Sequence, residues 1–153
     1  MVRVLMVCLG NICRSPLAEG ILRSKVEQDR VFIDSAGTGG WHVGELPDLR
    51  SIEVARNNKI DITDQRCRKF TYRDFEDHDL IYVMDRSNLS DVLSLAREPG
   101  DREKVRLILD ELFPGEGREV PDPYYGGAGG FDRVYSLLDE ACEVIANRLK
   151  DEH

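Results

Sequence analysis

Short apolar runs alternate along this chain with stretches whose apolar residues recur at helical spacing, and that alternation leaves few folds open. Residues 2–7 predict a buried first strand and residues 31–33 a second. Residues 80–84 and 105–109 supply a third and a fourth. Residues 16–25, 48–57 and 87–96 read as helices. The clearest helix comes last, where Val134, Leu137, Leu138, Ala141, Ile145 and Leu149 recur at three- and four-residue steps. The expected architecture is an α/β three-layer sandwich, a central four-stranded parallel sheet flanked by helices. With 153 residues and neither internal repeat nor linker, residues 1–153 are expected to form one domain.

Charge narrows the partners. Lys and Arg number 21 against 29 Asp and Glu, a formal net charge of −8, so nucleic acid and acidic membranes are repelled. Any anionic ligand must be captured by a local positive site. No apolar run approaches the roughly 18 residues of a membrane span. Cys8, Cys13, Cys67 and Cys142 show neither zinc-like spacing nor a secreted disulfide framework, so free thiols in the cytoplasm are expected. A monomer is the expected state. Residues 110–130 hold three prolines and six glycines and read as one long surface loop, a length that usually signals function.

In an open parallel sheet, ligands bind outside the carboxyl ends of the strands. The first such position here reads Cys8-Leu9-Gly10-Asn11-Ile12-Cys13-Arg14-Ser15-Pro16. Ser15 and Pro16 predict a helix start, with the serine hydroxyl as cap and proline at the first helical position. The turn before it can aim backbone N–H groups inward as a nest for an anion. Five residues separate Cys8 from Arg14, so a curled loop sets the sulfur at its floor and the guanidinium at its rim. The N–H groups, the helix N-terminus and Arg14 all favour a thiolate at Cys8. Ser15 is placed to donate a hydrogen bond to the sulfur, and Asn11 tolerates the positive φ that the curl needs. The fork of Arg14 fits two phosphate oxygens. A nucleophile beneath a bound phosphate is the geometry of a phosphatase.

The motifs VCLGNICRSPLAEG at 7–20, DSAGTGGWHVG at 34–44, MDRSN at 84–88 and DPYYGG at 122–127 resemble the low-molecular-weight protein tyrosine phosphatase family. The resemblance spans essentially the whole chain. It implies metal-independent hydrolysis of phosphotyrosine in tyrosine-phosphorylated proteins through a phosphocysteine intermediate, with no cofactor and no metal ligands. Cys8 matches the nucleophile and Arg14 the phosphate clamp. Leu9, Gly10, Asn11, Ile12 and Cys13 match the backbone cradle, with Asn11 and Ser15 shaping it. Asp122 matches the general acid, and Trp41, Tyr124 and Tyr125 match positions that wall the cleft. The residues support the acid independently, because Pro121 and Pro123 stiffen the backbone around Asp122 and a nearby phosphate dianion favours its protonated form.

Other readings remain beside this one. Members of the family carry a His where this chain has Gln65, ahead of Arg66-Cys67-Arg68-Lys69, which bears on how rigidly the nucleophile loop is held. His42 and His78 are read as ordinary surface or loop histidines. Thiol-dependent arsenate reductases share this fold but relay a disulfide through further late cysteines, and here only Cys142 lies late. Related arginine phosphatases carry Thr where this loop has Ile12, and a branched apolar side chain there suits a phenyl ring better than a guanidinium. A curled loop also brings Cys13 toward disulfide reach of Cys8, an arrangement that would guard the nucleophile against irreversible oxidation.

Overall fold

The computed structural model describes residues 1–125 and 130–152, with Tyr125 and Glu152 entering through their backbone only. Four parallel strands form one open sheet: β1 (Val2–Cys8), β2 (Val31–Gly37), β3 (Leu80–Val83) and β4 (Val105–Leu107), in the order β2-β1-β3-β4. β1 pairs with β2 along its whole length and with β3 over residues 4–7. A central strand must be apolar on both faces, which is why residues 2–7 read as a nearly continuous apolar run.

Alternate residues of β1 feed two separate cores. Val4, Met6 and Cys8 join a cluster with Leu17, Ile21 and Leu22 of α1 (Arg14–Arg23), Ile52 of α2 (Leu49–Asn57) and Val134, Leu138 and Ile145 of the long C-terminal helix, Gly130–Glu152. Leu5 and Val7 turn to the other face and pack with Phe75 of α3 (Arg73–Asp77), Val92 of α4 (Arg86–Ser94), Phe70 and Val83. The three-layer sandwich is therefore as the alternation predicts. The remaining helix, α5 (Pro99–Glu103), precedes β4 and leaves the C-terminal one as α6. No helix among the described residues is long and apolar enough to cross a membrane.

Several boundaries differ from the sequence reading, each for a local reason. β2 runs four residues further, to Gly37, because polar Asp34 and Ser35 continue the ladder with β1. The five-residue helices α3 and α5 are too short to show a periodicity. Residues 110–130 are not one featureless loop: 3₁₀ turns span Ile108–Glu111 and Pro123–Tyr125, and buried Val120 bonds back from its N–H to the Met84 carbonyl. The start of α1 departs most. The helix begins at Arg14 with Cys13 as its cap residue and no side-chain cap bond, so Ser15 is its second residue and not its cap. Pro16 falls third, where its missing N–H would have had no helical acceptor anyway. No acidic residue occupies that first turn, which keeps the positive end of the helix dipole uncompensated.

Candidate active site

The strand order reverses direction at β1, with β2 on one side and β3 on the other, and the crevice beyond the carboxyl ends there is where such sheets bind ligands. Three connections converge on it. The first is the loop after β1. Its carbonyls are taken by donors from the surrounding structure: Thr38 N–H bonds to the Cys8 carbonyl, Gly39 N–H to Leu9, the Cys67 thiol to Asn11 and Asp48 N–H to Ile12. The Ser51 hydroxyl reaches the Cys13 carbonyl at 3.3 Å. In a planar trans peptide the next N–H points opposite to the carbonyl, so each carbonyl tied outward turns an N–H toward the loop's concave side.

Two residues make the curl possible. Asn11 has φ of 57°, the left-handed region that asparagine tolerates. Gly37, at the end of β2, lies so close that a methyl there would sit 2.8 Å from the Leu9 carbonyl oxygen and 2.9 Å from the Asn11 nitrogen. Both belong to motifs quoted above, but only the tertiary approach of β2 explains the glycine.

Cys8 lies at the floor, 2% exposed, with its sulfur 3.0 Å from the Ser15 hydroxyl. Asn11 and Ser15 do not line the cavity; both are buried behind the loop, where Asn11 Nδ2 donates to Ser15 Oγ at 2.8 Å. Gln65, where the resemblance expects a His, donates to the Pro16 carbonyl at 3.0 Å. The loop is held instead by its neighbours, the Cys67 thiol on the Asn11 carbonyl at 2.8 Å and Arg68 N–H on Asn11 Oδ1 at 2.9 Å.

The second connection follows β3. Asp85 caps α4 through Oδ1, which accepts from Asn88 N–H, while its Oδ2 accepts from Arg14 Nη1 at 2.7 Å. The third lies beyond β4, where the Val120 carbonyl takes a second Arg14 hydrogen at 3.0 Å and Asp122 approaches Arg14 Nη2 at 3.7 Å. Burial works against the charge on Arg14, but Cys8, then Asp85 and Asp122, outweigh it and raise its pKa, so the guanidinium is firmly cationic. Asp122 is held by an Asx turn, its Oδ1 accepting from Tyr124 N–H at 3.0 Å.

A cavity of about 250 Å³ is lined by Cys8, Leu9, Gly10, Ile12, Cys13, Arg14 and Asp122. Trp41, His42 and Tyr124 form its mouth. Trp41 is 69% exposed, a cleft wall and not a core anchor. Arg50 stacks over the Tyr124 ring at 5.2 Å, which steadies that wall. The side chain of Tyr125 lies outside the described residues. The sequence reading took His42 for an ordinary surface or loop histidine, yet it lines the cavity with Nδ1 bonded to Glu45 at 2.8 Å; it gave Asp85 no role although Asp85 lies within MDRSN. All four cysteines are free. Burial, with Asp48, Cys8 and Asp122 adding to it, pushes the Cys13 thiol up to about 12, so it stays protonated. Cys142 is fully buried between α6 and α1 and takes no part in the cavity.

The described family model "Low molecular weight phosphotyrosine protein phosphatase" matches residues 3–153. A Schizosaccharomyces pombe protein of that name is 45% identical over 142 residues, covering 90% of each chain. A crystal structure of a protein tyrosine phosphatase from Entamoeba histolytica, with Hepes in its active site, superposes with a TM-score of 0.91 at 34% identity, covering 99% of each chain. Another structure, named DARP, drosophila arginine phosphatase, gives a TM-score of 0.83 at 34% identity over 95% of this chain and 96% of its own.

Proposed function

From the premise that this chain belongs to the low molecular weight phosphotyrosine protein phosphatase family, we propose a two-step, metal-independent hydrolysis of phosphotyrosine with Cys8 as nucleophile, Arg14 as phosphate clamp and Asp122 as general acid and base. The observation that carries this reading is the one cavity that Cys8, Arg14 and Asp122 share. In the first step the Cys8 thiolate attacks phosphorus and the P–O bond to the aryl group breaks. The Asp122 carboxyl gives its proton to the departing phenolate oxygen, leaving tyrosine and a phosphocysteine. In the second step the Asp122 carboxylate takes a proton from water as its oxygen attacks phosphorus. The P–S bond breaks, and the Ser15 hydroxyl steadies the returning thiolate. Arg14 Nη1 is already committed to Asp85 and Val120, which holds the guanidinium plane while its other edge is available to two phosphate oxygens. That edge and the loop N–H groups balance the charge that spreads over the equatorial oxygens.

Trp41 and Tyr124 support an aromatic substrate, since rings at the mouth stack on a phenyl group, and the depth of Cys8 suits a long side chain. Ile12 in the cavity lining supports the same choice over a planar guanidinium. The test is hydrolysis of an aryl phosphate in excess chelator, followed by an acid quench during turnover and mapping of the bound phosphate. Undiminished turnover with phosphate on the Cys8 peptide is expected. Turnover that stops with chelator, or phosphate on another residue, would overturn the mechanism, and faster hydrolysis of phosphoarginine would overturn the substrate.

Asp85 tests the clamp. Asp85→Asn keeps the shape and, through its one side-chain oxygen, the cap on α4, but it sets an amide NH2 against Arg14 Nη1 and removes that charge-assisted bond, a loss of about 1.5–3 kcal/mol. A fall in kcat/KM of about 10- to 100-fold is expected, and steady-state kinetics on an aryl phosphate measure it. Values within twofold of wild type would mean that Val120 and Asp122 hold Arg14 without Asp85.

A further inference from the structure

The hydrogen-bond chain behind Cys8 continues past Ser15 and Asn11. It crosses to Ser35 on β2 and ends at Glu19 of α1, a carboxylate only 3% exposed. Counting hydrogens gives every link a direction. An asparagine amide nitrogen carries two hydrogens and accepts none, while a serine hydroxyl carries one. Asn11 Nδ2 therefore donates twice, at 2.8 Å to Ser15 Oγ and at 3.0 Å to Ser35 Oγ. Its amide cannot be turned over without losing the bond from Arg68 N–H to Oδ1. The Ser35 hydrogen goes to Glu19 Oε1 at 2.7 Å. Ser15, accepting from Asn11, keeps its own hydrogen for the Cys8 sulfur at 3.0 Å; the competing Ala36 carbonyl is 3.5 Å away.

We propose that Glu19 is a positioning residue for the nucleophile, anchoring the Ser35–Asn11–Ser15 chain in the one donor order that leaves the Ser15 hydrogen for Cys8. A buried carboxylate is a costly way to fill a helix position that leucine or methionine would fill. Without its acceptor oxygen, the Ser35 hydrogen is buried unpaired, and relieving that means pulling Ser35 away from Asn11. Glu19 is itself held from outside. Arg23, one turn on, pairs with its Oε2 and reaches the Ile33 carbonyl at 3.4 Å and Asp64 at 3.2 Å. Asp34 of β2, paired with Arg68, completes the charged groups around it. Burial pushes the carboxyl up to about 7, against the pull of Ser35 and Arg23. With Oε2 given to Arg23, Oε1 is left to accept from Ser35.

The inference rests on Cys8 being the nucleophile, and its test does not need turnover. The ultraviolet absorbance of the Cys8 thiolate is titrated against pH, with Cys8→Ser as the blank. Glu19→Met removes the acceptor, and the midpoint is expected to rise by about one pH unit. Ser35→Ala is expected to raise it similarly, and the double variant no further than the larger single one, because both cut the same chain. Glu19→Gln leaves one carbonyl oxygen for two donors, Ser35 and Arg23, so its midpoint is expected to lie between wild type and Glu19→Met. Where Glu19 is ionised, a purely through-space effect has the opposite sign, since removing a negative charge favours the thiolate and lowers the midpoint for Met and Gln alike; where Glu19 is protonated, that effect vanishes. A lowered or unmoved midpoint in Glu19→Met overturns the proposal, as do additive shifts. Should Glu19→Met fail to fold, Ser35→Ala without an upward shift does the same. Undiminished turnover in Cys8→Ser would instead overturn the nucleophile assignment.

Discussion

Cys8→Ser is expected to lower turnover of an aryl phosphate by at least about 10⁴-fold while leaving inorganic phosphate binding within a few-fold of wild type. The two halves of this prediction have different causes. An alcohol is far less acidic than a thiol, so a loop that favours a thiolate does not generate an alkoxide, and the attacking anion is lost. The cradle stays, because the carbonyls that orient it are tied to Thr38, Gly39, Cys67 and Asp48. Oxygen is smaller than sulfur and still reaches for the Ser15 hydroxyl, so the floor keeps its shape. Steady-state kinetics beside phosphate inhibition separate the two. Turnover within tenfold of wild type would mean that another group attacks phosphorus, and loss of phosphate binding would mean that the sulfur shapes the nest.

The second large effect concerns the proton. Asp122→Asn keeps the Asx turn to Tyr124 N–H, since a side-chain oxygen remains to accept it, but leaves nothing to donate a proton to the phenolate. A drop of about 10²- to 10⁴-fold in kcat is expected with phenyl phosphate. The drop should shrink with an aryl phosphate whose phenol is strongly acidic, because that leaving group departs without help. The pH profile carries the sign. A carboxyl that must begin protonated makes the rate fall as pH rises through its titration, and asparagine does not titrate, so the alkaline limb should disappear. Equal losses for poor and good leaving groups, or an intact alkaline limb, would assign the proton to another residue. His42 at the mouth is then the first to examine.

How far the sequence could be read followed the range of the forces involved. The unit from β1 through the nucleophile loop to α1 is contiguous, and its periodicity, positive-φ asparagine and proline-led helix are local properties. Even there one reading failed. Ser15 looked like a cap, yet its hydroxyl turns to the Cys8 sulfur and the helix begins one residue earlier. A serine next to a helix start has two uses, and only the position of the sulfur chooses between them. Residues 110–130 carried turn signals strong enough to hide Val120, whose burial and carbonyl contact with Arg14 depend on packing against distant strands.

What the sequence determined by itself is the chemistry at one point of the chain: a thiol, a guanidinium and a phosphate-sized turn within seven residues, after a strand that must be central because both of its faces are apolar. The tertiary structure decided what holds those groups in place. Arg14 meets Asp85 across 71 residues and Val120 across 106, Asn11 meets Arg68 across 57, and Ser35 joins Asn11 to Glu19 from another strand. None of these partners has a periodicity or spacing that points to its mate. Hydrogen bonds act over about 3 Å, and that proximity exists only once the parallel sheet has brought the ends of its strands to one edge.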